Sequence, residues 1–244
     1  MVAVMDVDEL RRLAAKEELS LNYIAKDEMI SKVLAALQGF DDLILKGGTA
    51  INRVYIKTKR FSEDIDFDLL FKGPAKTALF RTKKILEKLE GFRIAQPRIM
   101  KEVIRYDLFY TNPLQHQDRI MLEFHISAKA AHYTKRIVNF GFVPHDSALL
   151  QVYDAEELIK QKVMCIMTRL EGKDFFDLHY LLDAIKIPVR ISREKKELLL
   201  KRLSLDREQI VLVANVINHY IPRRQRPDWD VFLDGLRVKI ERLL

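Results

Sequence analysis

The spacing of apolar positions changes several times along the chain, and each change marks an element. From Asp6 to Glu17 (DVDELRRLAAKE), Val7, Leu10 and Leu13-Ala14 recur at helical spacing. Leu21 to Leu37 carries a second stripe through Tyr23-Ile24, Ile30, Val33-Leu34 and Leu37, and Gly39 ends it. Leu43-Ile44-Leu45 is a short apolar run suited to a buried strand, broken by Lys46-Gly47-Gly48-Thr49. Ala50 to Tyr55 (AINRVY) returns to helical spacing. After the basic loop Lys57-Thr58-Lys59-Arg60 the period drops to two. Ile65, Phe67 and Leu69 then face a core, while Asp64, Asp66 and Asp68 share the other side of one strand.

Beyond a turn at Gly73-Pro74, Ala75 to Glu90 predicts a helix closed by Gly91. Phe92 to Val103 and Tyr106 to Thr111 predict two strands, and Arg119 to Ile126 (RIMLEFHI) another. On that last strand Ile120, Leu122, Phe124 and Ile126 form one face and Met121, Glu123 and His125 the other. Residues 127 to 147, with Lys129, Lys135 and Arg136, predict a basic connector, and Val143 to Val152 a domain junction. A helix with a capping-box start at Asp154 runs to Arg169, and Gly172 to Leu182 opens the next. Ile210 to Ile221 predicts a core helix, and Pro222 to Pro227 an exposed basic loop. The expected fold is α/β (α+β): a small mixed sheet with flanking helices over residues 1–150, and a helical domain over 151–244 that closes a cleft.

Three acids on one edge of a strand repel each other, and folding alone gives no reason for them. A bound cation does. Mg²⁺ takes hard oxygen ligands, usually one or two carboxylates together with substrate phosphates. Carboxylates two residues apart on a strand lie about 6.5 Å apart along the chain, close enough to share one ion or to bridge two. The Gly47-Gly48-Thr49 turn complements them. Glycine lets backbone approach a ligand closely, amides at a helix start favour phosphate, and the Thr49 hydroxyl adds a donor. Glu is depleted in strand centres, which makes Glu123 a candidate third carboxylate, either as a base or as a metal ligand. The six histidines show no HxxxH or CxxC spacing, so no zinc site is expected.

Composition narrows the class further. The 244 residues are 48% hydrophobic and 32% charged, a soluble globular profile. No apolar run reaches the length of a membrane span, and the opening MVAVMDVDELRR lacks the basic flank and apolar core of a signal peptide. The single cysteine, Cys165, excludes an internal disulfide, fits a reducing cytoplasm and sits in an apolar helical run as a structural thiol. Net charge is +7. The last 61 residues hold 14 lysines and arginines against 8 acids, so almost the whole excess sits there, as expected beside a polyanion such as nucleic acid.

KGGTAINRVY followed by RFSEDIDF resembles the opening of the AbiEii/AbiGii-type nucleotidyltransferase toxins, a branch of the DNA polymerase β-like superfamily. EELIKQKVMCIMTR followed by KDFFDLHYLL resembles that family's second half, so the likeness runs from about residue 20 to about 185. It implies Mg²⁺- or Mn²⁺-dependent transfer of a nucleoside monophosphate from NTP to an acceptor hydroxyl. Asp64, Asp66 and Glu123 would be the catalytic and metal-binding acids. Lys46, Gly47, Gly48, Thr49, Ser62, Lys162, Asp174 and Asp177 would bind the nucleotide, with Lys162 on the triphosphate and Asp177 holding Lys162 or the nucleotide. From the residues alone, Asp174 also reads as a helix cap, and Asp177 as the partner of a cation on the preceding helix. The likeness further implies the toxin of a toxin–antitoxin pair, with a cognate antitoxin and an RNA acceptor, the tRNA 3′ end. The alternatives are a protein or small-molecule acceptor, or a non-catalytic module binding nucleotide or nucleic acid. Intact acids argue against the module, and only transfer to RNA should follow a counterion-release salt slope.

Overall fold

The computed structural model describes residues 5–142, 147–185 and 189–243. Helix α1 (Val7–Glu17) is capped by Asp6, whose carboxylate accepts from the Glu9 amide. Helix α2 (Leu21–Ala36) is buried around much of its circumference, and beside Ile24, Ile30, Val33 and Leu34 it takes Asp27, Glu28 and Ser31 inside. Asp27 is tolerated there because Arg53 pairs with it at 2.6 Å and the Phe142 amide donates to its other oxygen at 2.7 Å.

The centre is one mixed sheet of β1 (Leu43–Lys46), β2 (Asp64–Leu70), β3 (Arg93–Ile94), β4 (Arg98–Met100), β5 (Val103–Thr111), β6 (Gln117–Ser127), β7 (Tyr133–Asn139) and β8 (Ser147–Tyr153). Its order is β3-β5-β6-β2-β1-β8-β7, with β4 paired to β5. The β2/β6 and β1/β8 pairs are parallel and the others antiparallel. Ile65, Phe67, Leu122, Phe124, Ile104 and Tyr106 are all buried. Helix α4 (Ala75–Leu86) covers that face, where the Thr82 hydroxyl bonds the Tyr106 hydroxyl at 2.8 Å.

Three expectations are corrected. Residues 127 to 147 are not a connector: β7 lies there and β8 starts at its end. Strand β7 is the sheet's edge, so Thr134, Lys135, Ile137 and Asn139 are exposed and its sequence lacks the alternation of a half-buried strand. Residues 143–146 of the expected junction lie outside the described residues, and the remainder is β8, paired to β1 in the middle of the sheet. The expected strand from Phe92 to Val103 is broken into β3 and β4, with β5 beginning at Val103.

After β1 the chain enters α3 (Gly47–Ala50), which widens into a π turn at Ile51–Tyr55. The last third is helical: α5 (Ala155–Thr168), α6 (Gly172–Ala184), α7 (Arg193–Arg202), α8 (Arg207–Asn218) and α9 (Trp229–Glu241). Asp154 takes the cap position of α5, yet its carboxylate goes to Arg136 at 2.9 Å and not to the helix amides. The capping box falls instead on α8, where Asp206 and Gln209 bond reciprocally. The loop after α8 is exposed and basic as expected, with Arg223, Arg224 and Arg226 in solvent.

Helices α6 and α9 meet through His179, whose ring stacks on Phe232 with centroids 4.1 Å apart. Burial, and then the nearby Lys239, push the His179 pKa from 6.5 down to about 4. The unfolded chain therefore binds the extra proton first, so this contribution to stability is complete above pH 6.5 and is lost as pH falls toward 4. His179→Phe should flatten the loss of urea resistance between pH 7 and pH 5. An unchanged pH slope would contradict this assignment.

Candidate active site

Strand pairing assembles the acids. In the parallel β2/β6 register Asp66 lies opposite Glu123 and Asp68 opposite His125, and in β5/β6 Arg105 lies opposite Glu123. A cleft of about 610 Å³ opens over this face. Its floor is Asp64, Asp66, Glu123, His125 and Arg105, one wall is Lys46, Gly47, Gly48 and Ser62, and the other is α5 with Lys160, Lys162 and Cys165. Cys165 is half-buried at that wall, and burial pushes its thiol pKa up, consistent with an inert thiol.

The three β2 acids differ sharply in their surroundings. Asp68 is fully engaged: Lys46 Nζ lies 2.5 Å from Oδ1, and the Tyr153 hydroxyl donates to Oδ2. Among the described residues, no hydrogen bond or ion pair reaches the carboxylate of Asp64 or Asp66. Burial, then Glu63 and Asp66, push the Asp64 pKa up to about 6. Burial and the facing Glu123 also raise Asp66 above the usual carboxylate range. Glu123 moves the other way. The His125 ring nitrogen 3.4 Å away is the largest influence, burial opposes it, and Arg105, in direct contact with Oε1, adds to it. Asp66, Glu123 and His125 each place a ligand atom within 4.8 Å of the others. Desolvated acids without cations are costly, and a divalent ion would remove that cost, so the donor set fits a metal.

The glycines are needed for close approach. Gly47 has φ +68°, where a side chain is strained, and a Cβ there would run into the Asp66 carboxylate. A Cβ on Gly48 would lie 2.5 Å from Arg60 Nη2 and 2.9 Å from Ser62 Oγ. Thr49 is fully buried and away from the cleft lining. Its hydroxyl donates to the Asp64 carbonyl at 2.5 Å and lies in hydrogen-bond contact with Ser62 Oγ at 3.1 Å, joining the Gly-Gly turn to the start of β2.

Asp174 and Asp177 are also fully buried and outside the cleft lining. Arg60 donates to Asp177 through Nε at 2.8 Å and Nη2 at 2.6 Å. Lys162 Nζ bridges Asp177 Oδ2 and Asp174 Oδ1, both at 2.8 Å, and Arg169 donates to Asp174 at 2.7 and 3.1 Å. Asn52 links Asp177 at 3.2 Å to the Gly48 carbonyl at 3.0 Å. Burial would raise both aspartates, but Arg60 and Lys162 hold Asp177, and Lys162 and Arg169 hold Asp174, below the ordinary carboxylate range. Asp177 thus pairs with a cation of the preceding helix, one of the expected readings. Asp174 pairs likewise, and the α6 cap position belongs to Glu171.

Sequence reasoning passed over Arg60, Asn52, Arg105 and the closeness of His125. Arg60 stands within the quoted RFSEDIDF segment, but at the end of a basic run that reads as solvated. His125 shares a face with Glu123 in sequence, while its approach to Asp66 depends on strand pairing.

A mixed sheet with acids on two adjacent central strands, a Gly-Gly turn beside them and a helical wall opposite is an arrangement suited to nucleotidyl transfer. A family model described as "Nucleotidyl transferase AbiEii toxin, Type IV TA system" matches residues 30–242, and the chain belongs to that family. Among solved structures it is similar to MenT4, a nucleotidyltransferase toxin from Mycobacterium tuberculosis, at 17% identity and TM-score 0.62, covering 97% of this chain and 88% of that one. It is also similar to JHP933 from Helicobacter pylori at 19% identity and TM-score 0.59, covering 91% of this chain and 92% of that one. At these identities the likeness is one of fold. No curated protein matches the sequence.

Removing one partner from a buried charge network leaves the others desolvated and unpaired, which costs about 3–5 kcal/mol. Asp177→Asn should therefore lower the unfolding free energy by about that amount in urea titration. A change under about 1 kcal/mol would show that Arg60 and Lys162 do not depend on Asp177.

Proposed function

We propose that the chain transfers a nucleoside monophosphate from an NTP to a hydroxyl at the 3′ end of RNA, with tRNA as the acceptor class, and that this is its toxin activity. The carrying observation is the pair of unpartnered, desolvated carboxylates of Asp64 and Asp66 beside the Gly47-Gly48 turn. Asp64, Asp66 and Glu123 would hold a divalent ion, Mg²⁺ or Mn²⁺. When bound, that ion offsets phosphate charge and lowers the pKa of the attacking hydroxyl. The acceptor hydroxyl gives its proton to a carboxylate of the site, its oxygen bonds to the α-phosphorus, the bond from that phosphorus to the bridging oxygen breaks, and pyrophosphate leaves.

Lys46, Gly47, Gly48 and Ser62 form the phosphate end of the cleft, since they line it next to the acids. Lys162 supplies positive charge from the opposite wall, and Thr49, Asp174 and Asp177 act as positioning residues behind the surface. Preorganised charge of this kind is the main contribution a protein makes to phosphoryl transfer. The basic C-terminal quarter supports an RNA acceptor, and the single cysteine fits a reducing cytoplasm. Among the described residues no helix is long and apolar enough to cross a membrane.

The test incubates purified protein with Mg²⁺ and each α-³²P-labelled NTP, with and without total tRNA. Label should enter RNA, fall at least about a hundredfold in Asp64→Ala and Asp66→Ala, and disappear with a chelator. Label on protein alone would replace RNA with a protein acceptor. Transfer that survives both substitutions would overturn the site.

A further inference from the structure

A ladder of rings leads away from the cleft. Phe61, fully buried, stacks on Tyr23 with centroids 4.9 Å apart and planes 23° apart. Tyr23 in turn faces His219 at 6.1 Å and 27°. Tyr220 closes the group, 4.1 Å from His219 and 5.3 Å from Tyr23. The inner end touches the reaction centre. Phe61 and Tyr220 line the cleft, and the Tyr220 hydroxyl donates at 2.8 Å to Glu63, the residue before Asp64. The outer end is the exposed His219 ring, which its own helix holds only by a 3.4 Å contact to the Asn215 carbonyl.

Cations gather beside the outer end. Arg223, Arg224 and Arg226 follow within seven residues of His219, all exposed. Arg224 is partly committed, to Glu17 at 3.1 Å and to the Lys16 carbonyl, and Arg226 makes a long contact of 3.4 Å to the Ile221 carbonyl. No interaction of the Arg223 guanidinium occurs among the described residues. A ring platform with open cations beside it is how proteins hold unpaired nucleic acid: bases stack on the rings and phosphates meet the cations. A duplex end, its bases already stacked and paired, gains little from such a surface.

We infer that the Phe61–Tyr23–His219 ladder is the docking platform for the unpaired end of the acceptor RNA, with a base stacked on the outer face of His219 and the backbone running past Arg223 and Arg226. The strand is thereby led along Tyr220 and Glu63 to Asp64. This inference rests on the reading of RNA as the acceptor and names the residues that recognise it.

The experiment measures fluorescence anisotropy of a 5′-labelled single-stranded RNA 12-mer, and of the same 12-mer in blunt duplex, titrated with full-length protein at fixed salt. His219→Ala should weaken single-strand binding roughly 5- to 150-fold, the range of one base-on-ring stack. His219→Phe, which keeps a flat ring, should restore most of it. Arg223→Gln should reduce the salt dependence of binding by about one counterion. Affinity for a non-hydrolysable NTP should be the same in all three variants, which separates the platform from the catalytic cleft. Wild-type affinity in His219→Ala, or equal binding of single strand and duplex, would overturn the platform while leaving RNA as acceptor. If the wild-type protein binds neither RNA nor tRNA, the RNA reading falls and the platform with it.

Discussion

The buried chain of charges Asp174–Lys162–Asp177–Arg60, closed at its outer end by the exposed Arg169, is the constraint on which the rest of the structure depends. It joins the helical third to the sheet through the interior. Arg60 stands just before the acid-bearing strand, Lys162 and Arg169 belong to α5 and the C-terminal residue beyond it, and the aspartates belong to α6. Such a network gives little net stability over apolar packing of the same volume, because its four inner members must be desolvated. What it does give is geometry. With five charges and Asn52 mutually satisfied, α5 cannot shift along the sheet without leaving a charge unpaired, so the cleft walls keep their spacing.

That rigidity makes the opposite condition at Asp64 and Asp66 possible. These carboxylates are partly desolvated, repel each other, and have no paired cation, Asp66 also facing Glu123 and Asp64 lying beside Glu63, whereas Asp68 one step along is neutralised by Lys46 and Tyr153. Repulsion of this kind would push a loosely packed strand away. Here β2 is held on both sides by β1 and β6, and at its start by Thr49. The strain stored in the site is electrostatic, and on the proposed function the ion and phosphates of the reaction would relieve it.

Much of this was legible in the sequence. The period-two alternation over Asp64 to Leu69 fixes both strand and face, because one side is buried and the other is not. The Gly47-Gly48 turn was legible because only residues without Cβ fit against Asp66 and Arg60. The edge strand β7 was not, since exposure on both sides removes the alternation that marks a strand. Nor was the separation of Asp68 from its two neighbours, because Lys46 and Tyr153 reach it across β1 and β8, far apart in sequence. His125 failed for the same reason: spacing rules describe ligands along one element, and its neighbour Asp66 is on another strand. Lys162 and Asp177 were readable as a pair, but their complete burial required knowing that α6 sits between α5 and the π turn.

On the proposed function, Asp64 and Asp66 go without a paired cation because they take a metal. Electron paramagnetic resonance of Mn²⁺, titrated into protein with a non-hydrolysable NTP and corrected for the nucleotide alone, tests it directly. Wild-type protein should bind the ion, and Asp66→Asn should lose most of that affinity while melting at the same temperature or higher, since a repelling charge has been removed. Equal Mn²⁺ binding by the two proteins, or none by either, would contradict the account.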